Sequence, residues 1–289
     1  LGFTIDDVRR SAVPADVEYF KILRCVPQAA RDQYRSHSHI LSEPESTMIA
    51  AASFTRNTVH LFSTDGREIA QIAVGHHPIA LAYSRRHGQL YAVCEGSATI
   101  EAIDIATFAR HTLFTLDDDQ YPSSVALCAD GSRAWVGCRD GLAEVDLTKK
   151  QLLRTVATGN PVRSLVLLEP QQTALAGSPQ GVAVIDLPGG RVVRNIPIDN
   201  VWGFVRLSES ELAAIDTGFW RMHVLSVPGF APIREQPLPV ESRAIVPIAQ
   251  GFCAGDWRRH AVFRIGKEAG HSQQIGNVEF PIAVALIER

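Results

Sequence analysis

At 289 residues, with 46% hydrophobic and 20% charged side chains, the chain can fill two ordinary domains or one large all-β domain, and this composition excludes a largely disordered protein. A net charge of -3 and a pI near 6.4 provide no long-range field to gather nucleic acid or an anionic membrane, so neither partner is expected. No apolar run approaches the roughly 18 residues needed to cross a bilayer, and the start at Leu1 rather than Met leaves room for a signal peptide already removed.

In chain order, Thr4 with Asp7 resembles a capping box for a short helix through Arg10, and Val17 to Val26 has the apolar content of a strand. Residues 1–37 therefore read as an N-terminal segment, part helical. From residue 38 a repeat takes over. A proline recurs in similar company, as His77-Pro78-Ile79-Ala80-Leu81, Tyr121-Pro122-Ser123-Ser124-Val125, Asn160-Pro161 and Phe280-Pro281, at spacings of 44, 39 and 120 residues. The last spacing is three times about forty, the length of one supersecondary repeat unit.

The second unit shows four strands: Ile79 to Ser84, the turn Arg85-Arg86-His87-Gly88, Leu90 to Cys94, Thr99 to Ile105, and Thr112 to Leu116. In the third, Asp130-Gly131 joins two β-branched or aromatic runs as a hairpin turn. Ala143 to Leu147 and Ala183 to Leu187 match Glu101 to Ile105 position by position, which makes them third strands. Gly189-Gly190 and Asp65-Gly66 are turns between third and fourth strands. A four-stranded unit of this size cannot bury both faces alone; stacked units must close into a ring to leave no exposed end. The spacing accommodates six units and the start of a seventh, Pro281 to Arg289, whose remaining strands are expected from the N-terminal segment.

Gly75-His76-His77-Pro78-Ile79-Ala80-Leu81-Ala82-Tyr83-Ser84, then Leu90-Tyr91-Ala92-Val93 and Ile103-Asp104, resemble the YVTN repeats of the WD40-like β-propellers, over roughly residues 38 to 289. The resemblance implies an all-β, seven-bladed β-propeller of four-stranded antiparallel blades, with 38–289 as one domain and the closing blade shared by N- and C-terminal segments. It implies little about chemistry, because the family includes periplasmic binding proteins and domains of redox enzymes.

In such a ring the loops leading into first strands and those joining second to third strands share one face, around the mouth of the central channel. They carry His76, His77, Glu95, Tyr121, Arg139, Asn160, Trp202, Phe219, Trp220, Arg221, Trp257 and Arg258. Trp220-Arg221 and Trp257-Arg258 set indole beside guanidinium, a combination that can hold an anion and stack on a ring, or that can simply pack between blades with the arginine reaching water. Two residues past each junction proline come Ala80, Ser124, Arg163, Gly203, Arg243 and Ala283. Arg163 and Arg243 at positions next to the channel axis must find an acid such as Glu241 or Asp256, meet water, or meet a bound anion.

Two function classes follow. One is a binding module for an anionic or aromatic small molecule, or for an acidic partner segment, held by Arg163, Arg243, Trp202, Trp220, Arg221, Trp257, Arg258 and Tyr121. The alternative is a lyase, cyclase or hydrolase in which arginines stabilise negative charge and His39, His37 or His77 moves a proton. His37 and His39 alternate onto one side of an extended segment, where His76 or His77 would be needed to complete a metal site, and no ligand spacing supports one. Asp117-Asp118-Asp119 lacks calcium-loop spacing, and no phosphate loop, GxSxG, HExxH or haem-attachment CxxCH occurs, so neither metal nor cofactor is expected. Cys25, Cys94, Cys128, Cys138 and Cys253 stand singly, mostly in apolar runs, as buried thiols do; this leans towards a reducing, cytoplasmic compartment, with the periplasm as the alternative.

Overall fold

The computed structural model describes residues 47–288, apart from 118, 170–171, 238–241, 243–244, 249–250 and 267–271. The readings that fall on Thr4 to Arg10, Val17 to Val26, Cys25, His37, His39, Glu241 and Arg243 lie outside the described residues. No helix of the described residues is long and apolar enough to cross a membrane.

Strands β1 (Thr47–Ser53), β2 (Thr58–Ser63) and β3 (Glu68–Ala73) are followed by five sets of four. These are β4 (Pro78–Ser84), β5 (Gln89–Cys94), β6 (Thr99–Asp104) and β7 (Arg110–Thr115); β8 (Ser124–Leu127), β9 (Arg133–Cys138), β10 (Gly141–Asp146) and β11 (Gln151–Ala157); and β12 (Ser164–Leu168), β13 (Thr173–Ser178), β14 (Gly181–Asp186) and β15 (Arg191–Ile196). Then come β16 (Val201–Arg206), β17 (Glu211–Asp216), β18 (Arg221–Ser226) and β19 (Pro232–Pro237), and β20 (Ile245–Ile248), β21 (Gly251–Asp256), β22 (Ala261–Gly266) and β23 (Ser272–Asn277). The last strand is β24 (Pro281–Glu288).

Each set of four forms its own antiparallel sheet, and β24 joins the opening trio in the order β24-β1-β2-β3. The described residues thus build a β-propeller of six four-stranded blades, numbered here from the one containing β1. Seven blades are not found. The C-terminal strand and the first repeat, which the proline spacing counts as separate units, are parts of one blade: β24 pairs with β1 from Thr47↔Glu288 to Ser53↔Pro281. The innermost strands β24, β4, β8, β12, β16 and β20 each touch the innermost strands of both neighbouring blades, so the ring closes on itself.

The core lies between blades because strand side chains alternate faces. On β6, Ile100 and Ala102 pack towards blade 3 with Val136 and Val145, whereas Ile103 turns to blade 1 with Leu61 and Ile287. Comparable clusters fill the remaining seams, around Trp135 and Ile185, Leu175 and Leu212, Ile215 and Val224, and Cys253 with Phe62. Each such large side chain contributes about 1.5–3 kcal/mol on leaving water. Buried charge inside blades is paired: Glu144 accepts from Arg133 Nη1 and Arg154 Nε, both at 2.7 Å, and the Arg154 guanidinium lies 5.2 Å from the Trp135 ring centroid.

Candidate functional site at the channel mouth

The mouth is built by two loop types that meet on one face. In blade 2 the lead-in to β4 and the β5–β6 loop are tied by backbone bonds from Glu95 N to His77 O (2.9 Å) and Gly96 N to His76 O (3.0 Å). In blades 5 and 6 an aspartate ending the second strand folds the loop: Asp216 Oδ1 accepts from Gly218 and Phe219 N, and Asp256 Oδ1 from Arg258 and Arg259 N. The residue before the third strand then takes a left-handed conformation, as Asn57, Ala98, Trp220 and His260 all do. Two of these latch the next blade. Asn57 Oδ1 accepts from His77 N at 2.8 Å, and His260 Nδ1 from Phe280 N at 3.0 Å.

Register decides which lead-in residues are equivalent. Ala80, Ser124, Ser164, Gly203 and Ala283 pair with Val93, Gly137, Gly177, Ile215 and Ala52, one residue from the end of each second strand. Arg163 therefore precedes that position, and its equivalents are Ile79, Ser123, Trp202 and Ile282. Grouping Arg163 with Ala80 and Ser124 by proline spacing is off by one residue, because the Gly159-Asn160-Pro161 junction is one residue short. Ile79, Trp202 and Ile282 lie where the pairing slips, and such bulges re-aim a side chain.

Arg163 Nη1 lies 3.3 Å from Glu95 Oε1, with side chains 29% and 21% exposed, and its guanidinium is 5.3 Å from the Trp202 ring centroid. Glu95 belongs to blade 2 and Trp202 to blade 5, opposite blades of a six-membered ring. A group that touches both lies across the channel mouth. The acid that Arg163 finds is Glu95, which the sequence places at the mouth without naming it as a partner. Arg163 Nε is buried without a hydrogen-bond partner in the protein, a condition that costs about 1–3 kcal/mol unless water or a ligand satisfies it.

Opposite blade 4, an aromatic arc runs over blades 6, 1 and 2. Trp257 and Phe280 have centroids 5.5 Å apart, Phe280 and Phe54 6.0 Å, and Phe54 stacks on His77 at 4.4 Å and 11°. Trp257, Phe280, Pro281 and Ile282 line a recess of about 270 Å³, open water included. Trp257 Nε1 is a second buried donor without a partner, and the Arg258 guanidinium lies 5.2 Å from the Trp257 centroid. At the blade 1 side of the arc, hydrogen bonds from the Arg56 and Thr55 side chains hold the Glu279 carboxyl below its ordinary range.

Other expected residues separate. Trp220-Arg221 and Trp257-Arg258 are not equivalent pairs, since Trp220 aligns with His260 and Trp257 with Thr217. Arg221 turns to the outer strand, 3.3 Å from Glu235 and 5.7 Å from the Phe219 centroid. Tyr121, left-handed and 48% exposed, sits under Arg139 at 5.7 Å on the blade 3 rim. His77 is stacked on Phe54, and among the described residues no three His, Cys, Asp or Glu side chains cluster as metal ligands. Phe54, Phe280 and Ile282 were missed by sequence reading; counting from the end of the second strand rather than from the prolines brings them to the mouth.

The four described cysteines are free, and burial pushes the thiols of Cys94, Cys138 and Cys253 up to about 12 and that of Cys128 to about 11, so none is a ready nucleophile.

These features define a β-propeller with a polar, arginine-centred mouth facing an apolar recess. No family model and no curated protein matches the chain. Solved structures do match. One from the hydrazine synthase of Kuenenia stuttgartiensis aligns at 18% identity over 72% of this chain and 70% of its own, with a TM-score of 0.55. One from a nidogen/laminin complex aligns at 14% identity over 83% of this chain and 98% of its own, with a TM-score of 0.68. At these identities the likeness speaks for the fold alone.

Proposed function

We propose that the chain is a binding module whose channel mouth recognises an anionic small molecule, aromatic ones included, or the acidic segment of a partner. The observation that carries this reading is the Arg163 guanidinium lying across the mouth between Glu95 and Trp202, with its Nε buried and unsatisfied. The recess formed by Trp257, Phe280, Pro281 and Ile282 supplies apolar surface on the opposite side. The enzyme alternative that relies on a histidine at the channel arginines is less favoured, because the side chain bonded to Arg163 is the Glu95 carboxylate. One structural neighbour comes from a complex and the other from a synthase, so the choice rests on the site itself. Kinship with the YVTN repeats is part of the same proposal and rests on Gly75 to Ser84, Leu90 to Val93 and Ile103-Asp104.

Native mass spectrometry of the purified protein, wild type beside Arg163→Ala, tests the reading. A small anion retained by the wild type and lost from the variant is expected. A small molecule retained equally by both would move the site away from Arg163 and defeat the proposal.

A further inference from the structure

An anion that approaches Arg163 does not meet a free cation. It meets an ion pair of zero net charge. The pair makes one nitrogen–oxygen contact, at 3.3 Å, between side chains that both keep some access to water, so it lacks the bidentate geometry of the strongest Arg–carboxylate pairs. A simple anion that takes the guanidinium leaves the Glu95 carboxylate, 21% exposed, without its partner and beside a like charge. A simple cation at Glu95 strands Arg163 in the same way.

A zwitterion avoids both costs. Its carboxylate replaces Glu95 at Arg163 while its ammonium replaces Arg163 at Glu95, and every charge stays paired. Building on the binding reading above, we infer that the ligand class is an amino-acid-type zwitterion, one carboxylate and one ammonium on neighbouring atoms, carrying an apolar side group. The side group is set by the recess. Its lining is Trp257, Phe280, Pro281 and Ile282, and Ile282 holds on blade 1 the position that Arg163 holds on the opposite blade 4. The charged pair and the apolar recess thus involve opposite blades of the ring, with Arg163 on blade 4 and Ile282 on blade 1. The buried Nε of Arg163 and Nε1 of Trp257 are donors awaiting acceptors, and the carboxylate supplies acceptors for the first.

Isothermal titration with three probes tests this: L-phenylalanine, 3-phenylpropionate without the ammonium, and 2-phenylethylamine without the carboxylate. Each is titrated into wild type, Glu95→Gln and Arg163→Ala, with thermal melts to establish that both variants fold. Wild type is expected to bind L-phenylalanine at least about tenfold more tightly than either truncated probe, the value of one charged hydrogen bond. Glu95→Gln is expected to erase the advantage over 3-phenylpropionate. If 3-phenylpropionate binds wild type as tightly as L-phenylalanine and still requires Arg163, the zwitterion inference fails while the anion-binding mouth stands. If the binding of all three probes is indifferent to Arg163→Ala, or if none binds wild type, both fail.

Discussion

Closure of the ring by β24 can be weighed through one methyl-rich side chain. Ile287 is fully buried, pairs with Met48 across the β24–β1 ladder and packs in the seam between blades 1 and 2 with Leu61, Leu90 and Ile103. Ile287→Ala removes three carbons from a site whose neighbours are themselves held by strands, so collapse around the cavity is limited and a loss of about 3 kcal/mol is expected, within the 2–5 kcal/mol range of such truncations. For a domain of this size each kcal/mol lowers Tm by about 2–4 °C, which gives a fall of about 6–12 °C. Val193, 53% exposed on the outer strand β15, is the control, and Val193→Ala should stay within about 0.5 kcal/mol. Paired urea and thermal unfolding curves measure both. If Ile287→Ala proves as mild as Val193→Ala, the C-terminal strand does not lie in the core of blade 1 and the six-blade closure is wrong.

The remaining expectations concern charge and thiols. Burial raises the thiols of Cys94, Cys138 and Cys253 from 9.0 to about 12, so the folded state favours their neutral form: their contribution is intact below pH about 9 and is lost as pH rises towards about 12. Urea midpoints should fall across that window, and native protein at pH 8 should resist a thiol reagent that labels the unfolded chain; rapid native labelling of these three would contradict their burial. Glu144→Ala strands Arg133 and Arg154, but these are 46% and 39% exposed and can turn to water, so the loss should be about 1–2 kcal/mol rather than the 3–5 of a fully enclosed pair. A loss above that range by chemical denaturation would show the arginines to be trapped.

The fold was legible where chemistry repeats in sequence. The third strands β6, β10 and β14 could be aligned because each ends in an aspartate, and Asp104, Asp146 and Asp186 all turn their carboxylates onto the following backbone N–H groups. Those strands occupy the register expected of them. The blade count was not legible, since a ring hides its seam: β24 and β1 lie at opposite ends of the chain, and only strand pairing reveals that they share a sheet. The site was readable in part. Arg163 and Trp202 were singled out for their residue types, but their equivalence depends on bulges that proline spacing cannot reveal. Trp220-Arg221 looked like Trp257-Arg258 because both put indole beside guanidinium; aligning Asp216 with Asp256 shifts them apart by three positions. The contact between Glu95 and Arg163 spans 68 residues and two blades, and no local pattern announces it.

The four tryptophans offer the most direct test of the mouth as the binding site, because Trp202 and Trp257 line it while Trp135 is buried between blades 3 and 4 and Trp220 stands beside the outward-turned Arg221. Protein labelled with 5-fluorotryptophan, its resonances assigned by single Trp→Phe substitutions, would be followed by fluorine NMR during titration with 3-phenylpropionate and L-phenylalanine. The account predicts that the Trp202 and Trp257 resonances move together with at least one of these ligands, that Trp135 and Trp220 stay in place, and that Arg163→Ala abolishes the movement. Shifts confined to Trp220, or no shift from either ligand up to its solubility limit, would contradict it.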